Sequence, residues 1–205
     1  MKYLKKFEQN KPITRLDYSN QKLIEIPKLP ELPNSLEKLY CYDNYLIKLP
    51  KLPDSLKTLY CYNNNLTKLP KLPESLEYLY CYKNNLKQLP KLPNYLKTLN
   101  CHNNNLNQLP KLPNLLKNLF CYSNKLTQLP ELPNLLKYLY CHNNNLTQLP
   151  KLPNSLKYLH CKNNNLPYNN LDEYKKYINE NKDLIEKYGY TEAMNILSNT
   201  NKYNL

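Results

Sequence analysis

Apolar and polar positions follow one pattern that returns every 20 residues through most of the chain. Leucine, cysteine, asparagine and Leu-Pro stand at fixed spacings, as in Leu56-x-x-Leu59-x-Cys61-x-x-Asn64-x-Leu66-x-x-Leu69-Pro70-x-Leu72-Pro73. Every unit from the one with Cys41 to the one with Cys141 keeps these residue types. A fixed period of this length is typical of one structural unit that is copied and stacked.

The pattern within one unit predicts three segments. Leu59 and Cys61 alternate with outward-pointing neighbours, which indicates a short β-strand whose leucine and cysteine face the core. Residues 63–65 are asparagines, which favour turns and tolerate left-handed backbone. The Leu-Pro-x-Leu-Pro segment fixes the φ angle at each proline and removes N–H donors, so we expect an extended return path there.

This pattern divides the chain into three predicted parts. Residues 1–12 are expected to form an N-terminal cap segment. Residues 13–169 are expected to form a repeat array of about eight turns, in which regular 20-residue units begin at residue 31 and number seven. Residues 170–205 are expected to form a helical C-terminal cap, because apolar residues recur there at helical spacing. Gly189 is placed to end a helix, and Thr191–Leu197 to form a last short one.

The motif L-x-x-L-x-C-x-x-N-x-L resembles a leucine-rich repeat with cysteine at its third apolar position, and the resemblance covers residues 13–166. The short period and the Leu-Pro-x-Leu-Pro segment are similar to the bacterial-effector subclass of that family. The bias toward Lys, Asn and Tyr also resembles leucine-rich repeat proteins of giant amoebal viruses of the Mimivirus type. The resemblance implies a leucine-rich repeat solenoid, placed by the family in the α/β class. It implies short parallel β-strands on a concave face, an extended polyproline-like convex side and a helical C-terminal cap.

Composition and charge indicate the expected environment. The chain has 7 Cys, an odd number without CxxC spacing, which favours free thiols in a reducing compartment. Residues 1–12 are charged and lack an apolar core, so we expect no signal peptide. The expected location is therefore the cytoplasm or the cytoplasm of a host cell. The formal net charge is +13, and residues 91–170 hold nine Lys against the single acid Glu131.

The outward positions beside each Cys are the candidate binding residues, because they form an aromatic stripe along the strands. Tyr offers a large contact area and keeps a polar tip, and exposed aromatic patches mark binding sites. The predicted partner-binding residues are Tyr40, Tyr42, Tyr60, Tyr62, Tyr80, Tyr82, Phe120, Tyr122, Tyr140 and His142. The alternative is that these rings only stack between turns and stabilise the sheet.

The asparagine and cysteine columns have structural interpretations. An inward amide at each corner can pair with backbone groups that the turn leaves unpaired, which predicts a structural ladder. Its members are Asn44, Asn64, Asn84, Asn104, Asn124, Asn144 and Asn164. The inward cysteines are interpreted as buried apolar fillers rather than redox groups. His142 and His160 could form a metal pair, but no outward Cys and few carboxylates accompany them, so neither a metal nor a cofactor is expected.

The predicted function is a non-enzymatic protein–protein interaction scaffold that binds a protein partner on the concave Tyr-rich face. The family resemblance implies a host-directed role. Nucleic-acid binding through the basic C-terminal half is the alternative. Neither a membrane nor a small-molecule substrate is expected as a partner. The chain has no GxSxG, P-loop, HExxH or CxxC motif, so no enzymatic activity is expected. The bacterial subclass that it resembles includes ubiquitin ligases with a large catalytic domain after the repeats, but the tail here is short and lacks Cys, so the resemblance does not imply ligase activity.

Overall fold

The repeats stack into a single array in the computed structural model, which describes residues 11–25 and 32–203. Within these two ranges the chain forms eight three-residue strands and three helices. The strands are β1 (Arg15–Asp17), β2 (Lys38–Tyr40), β3 (Thr58–Tyr60), β4 (Tyr78–Tyr80), β5 (Thr98–Asn100), β6 (Asn118–Phe120), β7 (Tyr138–Tyr140) and β8 (Tyr158–His160). The helices are α1 (Leu171–Glu180), α2 (Lys182–Tyr188) and α3 (Tyr190–Tyr203).

The strands form one parallel sheet in chain order from β1 to β8. Each strand pairs with the equivalent positions of the next turn, so that Leu39 lies opposite Leu59 and Leu59 opposite Leu79. Parallel neighbours result because each turn brings the chain back to its starting side, displaced by one strand spacing of about 4.8 Å. The predicted solenoid of parallel strands with C-terminal helices is confirmed. The predicted boundaries between array and caps stay predictions, and the N-terminal cap segment lies outside the described residues except for residues 11 and 12.

Leucine and cysteine fill the interior of the array. Leu56, Leu59 and Cys61 are completely buried, and the equivalent residues of the other regular turns are buried too. The return path closes the core from the opposite side, because Leu69 and Leu72 are also buried. That return path forms neither helix nor strand, as expected for a segment in which each Pro lacks an N–H donor.

Each turn bends sharply just after its strand. The second residue after each Cys has φ between 50° and 57°, which is the left-handed region. The residues in this position are Asp43, Asn63, Lys83, Asn103, Ser123, Asn143 and Asn163. Asn and Asp adopt this conformation more readily than other residues with a side chain. The abundance of Asn at the corners therefore compensates for the near absence of glycine.

The next residue in the corner connects its turn to the preceding one. The Oδ1 atom of Asn64 accepts a hydrogen bond from the Leu46 amide at 2.9 Å. Its Nδ2 atom donates to the carbonyls of Cys41 at 2.9 Å and Cys61 at 3.2 Å. The same three bonds are made by Asn84, Asn104, Asn124, Asn144 and Asn164. Each amide thus satisfies backbone groups that the corner would otherwise bury without partners.

Tyrosine side chains and the helices pack against the leucine core at the C-terminal end of the array. Tyr168 is 2% exposed and packs edge-on against Tyr174, with ring centroids 5.1 Å apart. The Tyr190 hydroxyl donates to the Leu149 carbonyl at 2.9 Å. Asn170 caps α1, since its Oδ1 atom accepts from the amides of two residues in the first helical turn, each at 3.0 Å. These contacts cover the last turn of the array.

The end of the chain differs from expectation in one element. Gly189 ends α2 with φ of 78°, as predicted. The last helix, however, runs over Tyr190–Tyr203 rather than Thr191–Leu197. The residues from Ser198 to Lys202 are polar, and apolar spacing detects only the packed side of a helix, whereas the backbone hydrogen bonds continue beyond it. No helix in the described part of the chain is long and apolar enough to cross a membrane.

Candidate binding face

Two columns of side chains run along the outer side of the sheet, one on each side of the buried cysteines. The pre-Cys column holds Tyr40, Tyr60, Tyr80, Asn100, Phe120, Tyr140 and His160. The post-Cys column holds Tyr42, Tyr62, Tyr82, His102, Tyr122, His142 and Lys162. Because the strands pair in register, equivalent residues of consecutive turns lie side by side. We call the two columns together the ring face.

The post-Cys column is a continuous stack of rings from Tyr42 to His142. Ring centroids of neighbours are 4.6, 4.4, 4.3, 4.2 and 4.3 Å apart in chain order. The first three tyrosines stack almost parallel, with interplanar angles of 9° and 6°, whereas His102 stands edge-on to both of its neighbours. These separations are close to the strand spacing of about 4.8 Å, so the sheet itself holds the rings in contact.

The pre-Cys column is interrupted. Tyr60 contacts Tyr40 and Tyr80, with centroids 5.1 and 4.4 Å away. Asn100 then breaks the row, which resumes where Phe120 stacks on Tyr140 at 5.0 Å. The row therefore consists of two aromatic patches separated by one polar turn.

Ring stacking determines which atoms the ring face presents to solvent. All ten predicted partner-binding residues lie on this face, and all ten are half-buried rather than exposed. Tyr42, Tyr62 and Tyr82 contact one another through their flat faces, whereas Tyr60 meets Tyr40 and Tyr80 edge to face. The sheet-stabilising role and a binding role are thus compatible, because each of these half-buried rings contacts its neighbours and keeps part of its surface open to solvent.

Burial also affects the ionisation of the ring face. Desolvation, with Lys83 and His142 nearby, lowers the pKa of His102 to about 4. Desolvation and the neighbouring His160 lower the pKa of His142 as well. Desolvation raises the pKa of Tyr60, with adjacent tyrosines contributing. At neutral pH His102 and Tyr60 therefore carry no charge, and this part of the face offers neutral hydrogen-bonding groups.

The expectation that the residues alternating with Leu and Cys line an open surface is wrong at three positions. Thr58, Thr98 and His102 are 9%, 4% and 6% exposed, respectively. The two threonines have short side chains between longer ones of the adjacent strands, and Thr98 accepts a hydrogen bond from Asn118 at 2.9 Å. His102 lies between two tyrosine rings. Period-2 alternation thus predicts on which side of the sheet a side chain lies, but not how far the side chains of adjacent turns bury it.

Sequence reasoning left two ring contacts out of the predicted site. Tyr158 stacks on Tyr140 at 4.9 Å, and His160 stacks on His142 at 4.1 Å. Tyr158 begins strand β8 and His160 ends it, so Tyr158 belongs to a column two residues before the pre-Cys column. Its counterparts Tyr78 and Tyr138 signal the same aromatic preference in that column.

The cysteines behave as part of the core. All seven are free and at most 1% exposed. Desolvation raises the pKa of Cys41 and Cys101 to about 12, so these thiols remain protonated at neutral pH. Among the described residues, no three His, Cys, Asp or Glu side chains come together in a way that could hold a metal ion.

Comparisons with known proteins identify related folds. The family model described as Leucine Rich Repeat matches residues 55–76. The leucine-rich effector protein YopM from Yersinia pestis is similar at 43% identity with a TM-score of 0.70, over 74% of this chain and 43% of that one. A Shigella effector leucine-rich repeat domain is similar at 32% identity with a TM-score of 0.66, over 86% of this chain and 78% of that one.

YopM from Yersinia enterocolitica WA-314 is also similar, at 37% identity with a TM-score of 0.66, over 75% of this chain and 32% of that one. This chain therefore spans less than half the length of the two Yersinia proteins, but more than two thirds of the Shigella domain. No curated protein matches the chain significantly.

Proposed function

The chain belongs to the leucine-rich repeat family, and from this premise we propose that it is a non-enzymatic scaffold whose ring face binds a protein partner. The continuous row of rings, half-buried except for the buried His102, is the observation that carries the proposal. It offers a preordered surface of aromatic edges and hydroxyls across several turns. A rigid, preordered surface loses little conformational entropy when it binds.

The chemistry of the ring face favours a protein over a nucleic acid. Proteins that bind single strands offer aromatic faces on which bases stack. From Tyr42 to His142 each ring already contacts its neighbours, with centroids 4.2–4.6 Å apart, so a base finds no gap between rings in which to stack. Tyrosine edges with hydroxyl groups instead suit a polypeptide, which offers both apolar side chains and backbone hydrogen-bonding groups.

The proposed partner is a host-cell protein, which the chain would meet in a reducing compartment. The similarity to Yersinia and Shigella effectors supports a host-directed role, by analogy of fold. The free, buried thiols agree with a reducing compartment, such as the cytoplasm of the producing cell or of a host. A likeness to giant-virus repeat proteins stays a prediction, and an amoebal cell is therefore a second candidate host.

A capture experiment with three baits tests the proposal. The baits are the wild-type chain, a Tyr-face variant (Tyr60→Asn with Tyr80→Asn) and an off-face variant (Tyr45→Asn with Tyr188→Asn). Asparagine is chosen because Asn100 occupies the same column naturally. Tyr45 and Tyr188 are 54% and 45% exposed and lie outside the ring face. Lysates of mammalian, amoebal and bacterial cells are compared by quantitative mass spectrometry.

We expect at least one eukaryotic protein to be recovered equally by the wild-type and off-face baits and to be lost from the Tyr-face bait. Equal recovery of every protein by all three folded baits would contradict binding through the ring face. Partners recovered only from the bacterial lysate would contradict the host-directed role while leaving the scaffold function intact.

A further inference from the structure

The charge of one column of residues, just before the strands, changes along the array. In chain order it holds Glu37, Lys57, Glu77, Lys97, Lys117, Lys137 and Lys157. Consecutive members are joined by backbone hydrogen bonds, for example from the Lys57 amide to the Glu37 carbonyl and from the Lys137 amide to the Lys117 carbonyl, each 2.8 Å. The side chains of this column are therefore carried side by side on equivalent backbone.

The first four members pair with each other as acid and base. Lys57 Nζ lies 2.7 Å from a Glu37 carboxylate oxygen, and Lys97 Nζ lies 2.5 Å from one of Glu77. After Lys97 the column contains only lysine, and the last three lysines are all exposed. The backbone positions are unchanged, but Lys117, Lys137 and Lys157 have no glutamate beside them in the column with which to form an ion pair.

A second column, two residues earlier in the chain, changes in the same region. Ser55, Ser75 and Ser155 donate hydroxyl hydrogen bonds of 2.7, 2.8 and 2.6 Å to a leucine carbonyl of the preceding turn. In the three turns between Ser75 and Ser155 the residues are instead Tyr95, Leu115 and Leu135, which are 60%, 38% and 44% exposed.

These replacements put apolar surface in contact with solvent and remove a hydrogen bond. A leucine side chain cannot donate to the carbonyl that the serine hydroxyl reaches in the other turns. Leu115 and Lys117 flank the fully buried Leu116, so the apolar and basic rows run in parallel. We call these six residues the edge patch: Tyr95, Leu115, Leu135, Lys117, Lys137 and Lys157. Exposed apolar rows rimmed by polar residues mark interaction sites.

We propose that the edge patch docks an acidic, leucine-containing segment of a protein partner, whose carboxylates pair with the lysine row as Glu37 and Glu77 do within the array. This inference rests on the proposed scaffold function and adds a second contact surface with defined chemistry. Charge complementarity selects the occupant, since a second copy of a chain with net charge +13 would be repelled. A nucleic acid would neutralise the lysines but would leave the exposed leucines without an apolar partner.

Fluorescence anisotropy with the full chain at low salt tests the proposal. The probe is a labelled peptide of about nine residues in which Leu alternates with pairs of Glu, long enough to cross three turns. Lys137→Glu copies the residue present at Glu77, and Leu115→Ser with Leu135→Ser copies the serines of the other turns, so each variant has a natural precedent in the array. Lys151→Glu, which copies Glu131 on the return path, is the control with the same change in net charge.

We expect Lys137→Glu to weaken peptide binding by about tenfold or more. The substitution removes one lysine, and the new carboxylate can pair with the neighbouring Lys117 and Lys157 in place of the peptide. The double serine variant is expected to weaken binding at least about threefold. Lys151→Glu is expected to stay within about twofold of wild type. No binding of the peptide, or an equal loss with Lys151→Glu, would overturn the proposal.

Two further arms separate this inference from the scaffold proposal. The Tyr-face variant should bind the peptide as wild type does, because Tyr60 and Tyr80 precede the edge patch in the array. Loss of peptide binding in the Tyr-face variant with retention in Lys137→Glu would reject the edge patch while supporting the ring face. Tighter binding of a labelled oligothymidine than of the peptide, again abolished by Lys137→Glu, would assign the lysine row to nucleic acid.

Discussion

The turns of β2–β4 and those of β6–β8 have the same backbone and nearly the same core but different surfaces. In the first group tyrosines stack on tyrosines, and a Glu–Lys pair and serine hydroxyls bind adjacent turns together. In the second group the stacked rings include Phe120 and His142, and the lysine row stands beside exposed leucines. Both groups keep the leucine and cysteine columns of the core, although Leu152 and Leu166 in the last turn are only partly buried.

This difference shows which positions the fold constrains. Inward positions must fill the same space in every turn, and the corner asparagine must satisfy the same backbone groups, so they repeat almost without change. Outward positions are required only to pack on the neighbouring turn, and they can therefore diverge. We infer that specificity for partners resides in the outward columns.

The largest expected effect concerns the thiols in both halves. All seven should react with an aqueous aromatic disulfide reagent at least about a thousandfold more slowly in the native protein than in denaturant, because each is buried and protonated. Mass spectrometry of the labelled peptides distinguishes the individual cysteines. Rapid labelling confined to one half would show that the two cores are not equivalent.

The corner asparagines should contribute equally in the two halves. Asn64→Ala and Asn144→Ala each leave one backbone amide unpaired and remove one of the two side-chain donors from each of two cysteine carbonyls, so we expect each to lower the free energy of unfolding by about 1–3 kcal/mol. Urea denaturation measures both, with the exposed Asn65 as an alanine control. A cost below about 0.5 kcal/mol at either corner would contradict the structural ladder.

The turn of β5, which lies between the two groups, should lose stability in mild acid through His102. Its pKa of about 4 in the folded chain lies below the ordinary value of 6.5, so the unfolded chain binds a proton first as the pH falls. The free energy of unfolding should therefore fall by about 2 kcal/mol between pH 6.5 and pH 4.5.

The variant His102→Tyr provides the reference for that measurement, because tyrosine occupies the same column in the turns on either side. It keeps a ring in the stack but removes the titrating group. The expected loss is thus the difference between the two pH profiles, measured by urea denaturation at each pH. Parallel profiles for the two proteins would show that His102 does not titrate differently on folding.

The smallest expected effect lies at the corners with atypical residues. Lys83 has φ of 51° in a position where asparagine is the commonest residue of the column. Lys83→Asn should raise the free energy of unfolding by about 0.5 kcal/mol, since asparagine tolerates left-handed backbone better than lysine. Ser123→Asn should have a similar effect in the other half. A decrease in the urea midpoint for either variant would contradict this account.

Much of the fold could be predicted from the sequence because each turn is determined by local signals that repeat. The alternation around Cys61 gives the strand, the asparagines give the corner and the prolines give the return path. The burial of Thr98 and His102 could not be predicted, because it depends on side chains 20 residues away in the adjacent turns. The full length of α3 was missed because its last residues carry no apolar pattern.

The sequence predicts which residues of the candidate site point outward, but not how their rings pack on one another. Sequence alone placed Tyr60 and Tyr82 on the outer side of the sheet. It could not show that Tyr82 stacks face to face on Tyr62 and leaves only its edges to a partner. The edge patch arises from the register of consecutive turns, and neither Leu115 nor Lys117 is unusual within its own turn.

Photo-cross-linking from the ring face tests the central claim of this account most directly. Benzoylphenylalanine replaces Tyr60 on the ring face in one protein and the exposed Tyr45 outside it in another, and both are irradiated in lysate of a host cell. We predict a discrete adduct with a host protein from position 60 and none from position 45. Adducts of equal yield from both positions, or from position 45 alone, would contradict the ring face as the binding surface.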